Sequence, residues 1–147
     1  MLCKWILCRV PTEGRAAFSK AQENWQALQG VDGFGGQWGG WNADDVQEAC
    51  ILGLWRDLAA YQQFMANVHD TIFEKSDQGR TYDTISVTLY EQVEVVDLPA
   101  GSVLRVELTP GISCARLAAD TLQLPADLAG AKRIGLLDTW SVEGGSR

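Results

Sequence analysis

The only histidine of the chain, His69, is its sharpest candidate for chemistry. Imidazole is the side chain whose ordinary pKa lets it pass protons near neutrality. Asp70 follows directly, and on a continuous helix the two side chains point about 100° apart, so they are not an oriented base–carboxylate pair. A carboxylate partner would come from another element. Leu58, Tyr61, Met65, Val68 and Ile72 step by three and four along this segment and give one apolar face. His69 falls on the border of that face. There it either looks into a pocket as a proton shuttle or bonds a backbone carbonyl as a structural histidine.

The second set of candidates is aromatic. Trp38, Trp41 and Trp55, with Trp5 and Tyr90 on neighbouring strands and Phe73 beyond His69, can line a flat slot for an aromatic or quinone-like ligand. Large aromatics dominate dimer cores equally well, so an interface is the competing reading. Asp83, Thr84 and Ser86 have no G-x-S-x-G elbow around them and read as solvated strand residues. Asp44, Asp45 and Glu48 lack the calcium-loop pattern and read as a polar turn. The four cysteines, Cys3, Cys8, Cys50 and Cys114, show no C-x-x-C spacing. With one histidine they make no ordinary zinc set, so they read as reduced core thiols. Cys3 and Cys8, five apart on one strand, face opposite sides. No cofactor and no metal is called for.

The elements that must position these groups follow from periodicity. Leu2 to Val10 is a strand with bulk on both faces: Leu2, Lys4, Ile6 and Cys8 on one, Cys3, Trp5, Leu7 and Arg9 on the other. Thr12 is a candidate N-cap for a helix to about Gln29, whose stripe is Phe18, Ala21, Trp25 and Leu28, with Gly30 as its stop. Val31 to Asn42 places five glycines among Phe34, Trp38 and Trp41. No phosphate-loop pattern is present, so a strand with glycine at crowded points or bulges fits best. Asn42 to Gln47 reads as a hairpin tip leading into a buried strand, Ala49 to Trp55. Asp57 is a good N-cap for the helix that carries His69. Tyr82 to Val96, through Gln92–Val93, alternates as a further strand.

Strand–helix–strand twice in tandem is the split arrangement of a ferredoxin-like α+β sandwich, with helices on one face of an antiparallel sheet. Apolar side chains on both sides of several strands call for cover on the second face, which a homodimer packing sheet against sheet supplies. The chain is one domain's worth, with residues 1–96 as the sandwich and 97–147 as an extension packed on it or across the dimer. In that tail, Val103–Leu108 reads as a strand, Ser113–Leu122 as a short helix and Arg133–Val142 as a last strand, a β-α-β unit. Glu143 to Arg147 reads as frayed.

Net charge is −7 with scattered cations, which argues against nucleic acid and anionic lipid as partners. No run approaches the roughly 18 apolar residues of a membrane helix. Lys4 interrupts the apolar N-terminus and no small-residue cleavage site follows, so a strand and a cytoplasmic protein are expected.

Lys4-Trp5-Ile6, Ala21-Gln22-x-x-Trp25, Gly39-Gly40-Trp41, Glu48-Ala49-Cys50, Trp55, Tyr61-Gln62-x-Phe64-Met65, His69-Asp70-x-Ile72-Phe73 and Tyr82-x-x-Ile85-Ser86-Val87-Thr88-Leu89 together resemble the YdbC-like family of small bacterial proteins. That family is in turn similar to the dimeric α/β-barrel superfamily of antibiotic-biosynthesis-type monooxygenases, haem-degrading oxygenases and stress-response barrels. The resemblance covers about residues 1–92 and implies a ferredoxin-like protomer, a homodimer with a barrel-like sheet stack, and a pocket between sheet and helices. Its haem-degrading branch implies a histidine late in the second helix, an aromatic wall and a polar residue on a strand. Here His69 lies earlier, Phe64 stands where a tryptophan is expected, and the first strand carries no asparagine.

Two readings of function follow. In one, a cofactor-independent monooxygenase-like enzyme acts on a small aromatic or quinol compound, with His69 as proton shuttle and Trp38, Trp41, Trp55 and Phe73 as the wall. In the other, the protein is a non-catalytic ligand-binding or stress-associated dimer. Haem binding through His69 is a weaker third.

Overall fold

In a computed structural model of the chain, residues 2–91, 94–95, 105–108, 116–118, 121–123 and 132–144 are described. The sequence expectation is met most directly at Asp57, whose Oδ1 accepts the Ala60 amide at 2.8 Å and so caps the helix that follows. The elements run β1 (Leu2–Arg9), α1 (Arg15–Ala21), β2 (Phe34–Asn42), β3 (Asp45–Trp55), α2 (Leu58–Asn67), α3 (His69–Ser76) and β4 (Thr84–Glu91). Beyond them lie β5 (Glu94–Val95), β6 (Arg105–Leu108), β7 (Arg116–Ala118), β8 (Thr121–Gln123) and β9 (Lys132–Glu143).

The strands join in the order β4-β1-β3-β2-β9-β6-β8-β7-β5. The first five pair antiparallel throughout, with helices on one face, which is the α+β, ferredoxin-like arrangement expected. The register fixes what each face carries. Leu2, Lys4, Ile6 and Cys8 of β1 stand opposite Trp55, Gly53, Ile51 and Ala49 of β3 on the helix side. Two packed groups fill that side. Phe18, Trp41, Cys8, Val10, Ala49 and Ile51 gather under α1. Trp25, Leu28, Phe34, Trp55, Tyr61, Phe64 and Ile72 gather under α2 and α3.

Several local features differ from the periodicity. The first helix is α only over Arg15–Ala21, with 3-10 turns at Thr12–Gly14 and Gln22–Leu28. Asn24 Nδ2 takes the Ala21 carbonyl at 3.2 Å, an acceptor the α ladder would otherwise use. Thr12 caps nothing; its hydroxyl accepts from Gln47 Nε2 instead. The second helix breaks at Val68 (φ −126°, ψ −40°), so its core residues are Ala60, Tyr61 and Phe64, while Leu58 lies exposed.

In the tail, Arg116–Ala118 and Thr121–Gln123 are strands, so the described part of the expected 113–122 helix is β, not α. The remainder of that stretch, Gln92–Val93, Cys114 and residues 145–147 lie outside the described residues. Glu143 is not frayed: it ends β9 and pairs with Gly36.

The glycine-rich stretch is a strand, as its composition indicates. Register shifts fall between Phe34 and Gly36, and the Trp140 indole of β9 covers Gly39 so closely that a Cβ there would lie 2.4 Å from its Nε1. Cys3, Trp5, Cys50, Leu52 and Leu54 on the second sheet face are buried within one chain. Their burial therefore needs no partner copy. The exposed apolar row lies instead on the helix side of the edge strand β4, where Ile85, Val87 and Leu89 are 43–48 % exposed.

Candidate functional site

The break at Val68 makes His69 the first residue of α3. That position turns the imidazole into the aromatic group beneath the helices. Its ring lies 5.7 Å from Trp25, 5.6 Å edge-on to Phe64, and 5.7 Å from Phe73 in a near-parallel stack. Only 20 % of the side chain remains exposed. Restarting the helix also brings the adjacent carboxylate round: His69 Nδ1 lies 3.1 Å from Asp70 Oδ1. The expectation that neighbouring positions diverge holds for a continuous helix and fails at a first turn. In the Nδ1–H tautomer His69 donates to Asp70 and keeps the Nε2 lone pair free, with no hydrogen bond to Nε2 among the described residues. Asp70 itself is 85 % exposed, and this contact orients the ring.

The rings around His69 are held by packing and by one buried amide. Trp55 stacks on Phe64 at 4.7 Å and meets Tyr61 and Phe34 edge-on. Trp25 Nε1 donates to Gln78 Oε1 at 2.9 Å, and Gln22 Nε2 donates to the same oxygen at 2.9 Å. Gln78 thereby ties the turn before β2 to the end of α3 across the histidine.

The tryptophans do not converge on one slot. Trp55 and Phe73 belong to the His69 group. Trp41 shares the helix side but sits in the other packed group, under Arg15, with its Nε1 donating to Ser19 Oγ at 3.3 Å. Trp38 pairs with Leu52 and Trp5 pairs with Leu52 from the other side, so both lie on the second face. Tyr90 pairs with Cys3 on β4, and its side chain lies outside the described residues.

Sequence reasoning passed over Lys4 as a functional group. It is 8 % exposed, its ammonium 5.0 Å from the Tyr61 ring centre and 3.8 Å from Met65 Sδ. Burial lowers its pKa to about 8. The signal was present as one charge in an otherwise apolar row, Leu2, Lys4, Ile6, Cys8. Trp25, Phe64 and Gln78 were also missed as neighbours of His69, since their contacts come from separate elements. Burial pushes Cys8 up to about 12 and Cys3 higher still, so neither is a ready nucleophile. Among the described residues no group of three or more metal-ligating side chains gathers. Among the same residues no helix is long and apolar enough to cross a membrane.

Residues 2–90 match the family described as Domain of unknown function (DUF4937). The chain belongs to that family. It is 42 % identical over 94 residues to the uncharacterized protein YdbC of Bacillus subtilis (strain 168), covering 63 % of this chain and 79 % of YdbC. Lys4, Trp25, Trp55, Phe64, His69 and Phe73 all fall in the matched span, so the DUF4937 region contains the whole aromatic group. Among solved structures, it is similar to a "putative antibiotic biosynthesis monooxygenase" from Deinococcus radiodurans. That likeness has a TM-score of 0.55 at 16 % identity and covers 68 % of this chain and all (100 %) of that one. A second so described, from Nitrosomonas europaea, gives 0.51 at 14 %, covering 61 % and 96 %. The haem-degrader MhuD of Mycobacterium tuberculosis, solved with two haems in its active site, gives 0.53 at 16 %, covering 69 % and 100 %. At these identities the likeness carries the fold and no chemistry.

Proposed function

We propose that this protein is a monooxygenase-like enzyme that acts, without a resident cofactor, on a small aromatic phenol or quinol held between the sheet and α2–α3. One observation carries the reading: an imidazole set among Trp25, Phe64 and Phe73 with Nδ1 on a carboxylate and Nε2 unbonded among the described residues. Nε2 takes the phenolic proton, and the electron-rich phenolate then reacts with O₂. One oxygen atom enters the ring and the other leaves as water, so a quinol plus O₂ gives a hydroxyquinone plus water. The protein supplies a base and a site of low polarity. Trp55 and Phe73 serve as wall in this reading, joined by Phe64 and Trp25, while Trp38 and Trp41 do not.

The test is O₂ uptake with 1,4-dihydroxynaphthalene. His69→Ala should lower turnover by about a hundredfold or more with the near-UV spectrum unchanged. Equal rates in the two proteins would overturn the reading.

A non-catalytic aromatic-ligand site is the second reading, favoured by how fully His69 is packed. It expects binding without O₂ uptake. Haem ligation through His69 needs a free Nε2, which the ring geometry provides, and a bound haem would supply O₂ activation. A Soret band on haem titration, lost in His69→Ala, is its signature. A homodimer is proposed on the exposed row Ile85, Val87 and Leu89 of β4. Sedimentation that gives a monomer would remove it.

A further inference from the structure

The second face of the sheet carries Cys3, Trp5, Cys50, Leu52, Leu54 and Leu136, each only 0–3 % exposed. The helices α1–α3 pack on the opposite face, so the cover comes from the chain beyond Glu91. Two features of the backbone carry it there. The strand order begins at β4 and ends at β5, yet Glu91 of β4 and Glu94 of β5 are three residues apart in sequence. The nine described strands laid flat would hold those edges about 38 Å apart, whereas three residues span at most about 11 Å. The sheet must therefore roll until its two ends approach, with one face turned inward. The bend falls on β9. Leu136–Glu143 pairs with β2 and Lys132–Gly135 with β6, and a bulge with Asp138 at φ 48° separates the Leu137 and Trp140 pairs.

Register also decides which side of the tail strands is turned inward. Val95, Leu117, Leu122, Val106 and Ile134 are successive partners across β5, β7, β8, β6 and β9, so they occupy one row. Ile134 and Leu136, two apart on β9, share a face, and Leu136 stands on the second face with its partner Asn42. That apolar row is thus on the inward side. The rows flanking it, Glu94–Arg116–Gln123 and Ala118–Thr121–Arg105, are on the outward side.

We propose that β5–β8 serve this chain as its own second sheet, closing over Cys3, Trp5, Cys50, Leu52 and Leu54 in the position where a second copy would pack. The second face is then an intramolecular interface and is closed to association between copies. The residues matched to the family end at 90, so the closing strands lie outside that region. A homodimer on Ile85, Val87 and Leu89 uses the outer, helix-side face and is compatible with this closure.

The experiment alkylates the full chain with N-ethylmaleimide in native buffer and reads each cysteine by peptide mass, with sedimentation run alongside. Cys3 and Cys50 report the inward face, and Cys8, buried on the helix side, is the control. Over about a thousandfold dilution the labelling rates of Cys3 and Cys50 should stay constant, because an intramolecular cover does not dissociate. Leu122→Asp, a charge set into the apolar row, should raise both rates by about tenfold or more and leave Cys8 protected. Should Leu122→Asp not fold, with Cys8 labelled as fast as the others, the dilution series decides alone. Rates that climb as a dimer dissociates, or that a folded Leu122→Asp leaves unchanged, overturn the proposal.

Discussion

Phe64 meets His69 edge-on at 5.6 Å and 88°, and the same phenyl ring stacks on Trp55 at 4.7 Å. One helical side chain thus couples the centre of the sheet to the imidazole. Phe64 is 4 % exposed, and Phe64→Ala removes both contacts along with its buried area. A loss of about 3–5 kcal/mol in urea unfolding is expected. Phe64→Leu keeps most of the volume and should cost less, while loosening the ring cage about His69.

Gln78 is 4 % exposed, and its Oε1 accepts from both Trp25 and Gln22. Gln78→Leu leaves the buried Trp25 N–H without its acceptor and Gln22 Nε2 with only the Phe18 carbonyl at 3.3 Å, and a loss of about 2 kcal/mol follows from that desolvation. The Trp25 ring then loses the bond that sets its tilt against His69. Near-UV circular dichroism should report that change even where the helix content is unaltered.

Two glycines on the helix side of the sheet should behave in opposite ways. A Cβ on Gly39 collides with the Trp140 indole and, at 2.7 Å, with the Cys50 carbonyl, which is backbone and cannot yield cheaply. Gly39→Ala is therefore expected to lower the melting temperature clearly. A Cβ on Gly53 makes ordinary contacts only. Gly53→Ala should therefore melt within a degree or two of wild type.

Burial lowers the Lys4 pKa from 10.5 to about 8, so between those values the unfolded chain binds the proton and the folded chain does not. Stability attributable to Lys4 therefore rises with pH from about 8 upward. The buried thiols of Cys3 and Cys8 act the other way above their ordinary pKa of 9.0, because the folded state holds their protons. The Lys4 slope is thus clearest from pH 8 to 9. Comparison with Lys4→Met isolates it: the variant should lose that slope and gain up to about 3 kcal/mol at pH 7. A wild-type curve that is parallel to the variant's across this window would show that the ammonium is well solvated.

The order of elements and the sheet's two faces were legible because alternation at Leu2–Arg9 and the cap at Asp57 each depend on a few adjacent residues. The role of the glycines was legible as well, although Trp140, which covers Gly39, could not be named from a distant tail. The pairing of His69 with Asp70 was misread because it depends on a single backbone angle at Val68. The tryptophans were grouped by type, whereas register decides their face: one residue separates Trp38 from the helix side that Trp41 and Trp55 share. Lys4 stood in view as a charge in an apolar row, but its burial against Tyr61 and Met65 depends on α2, which the row itself does not name.

The most direct measurement is the fate of ¹⁸O₂ during oxidation of 1,4-dihydroxynaphthalene by wild type and His69→Gln, which keeps a polar side chain at the helix start. Wild type is expected to place one labelled atom in the quinone ring and one in water, with turnover lowered by about a hundredfold in the variant. Unlabelled product, or labelled product formed at the same rate by His69→Gln, would contradict a proton-accepting role for His69.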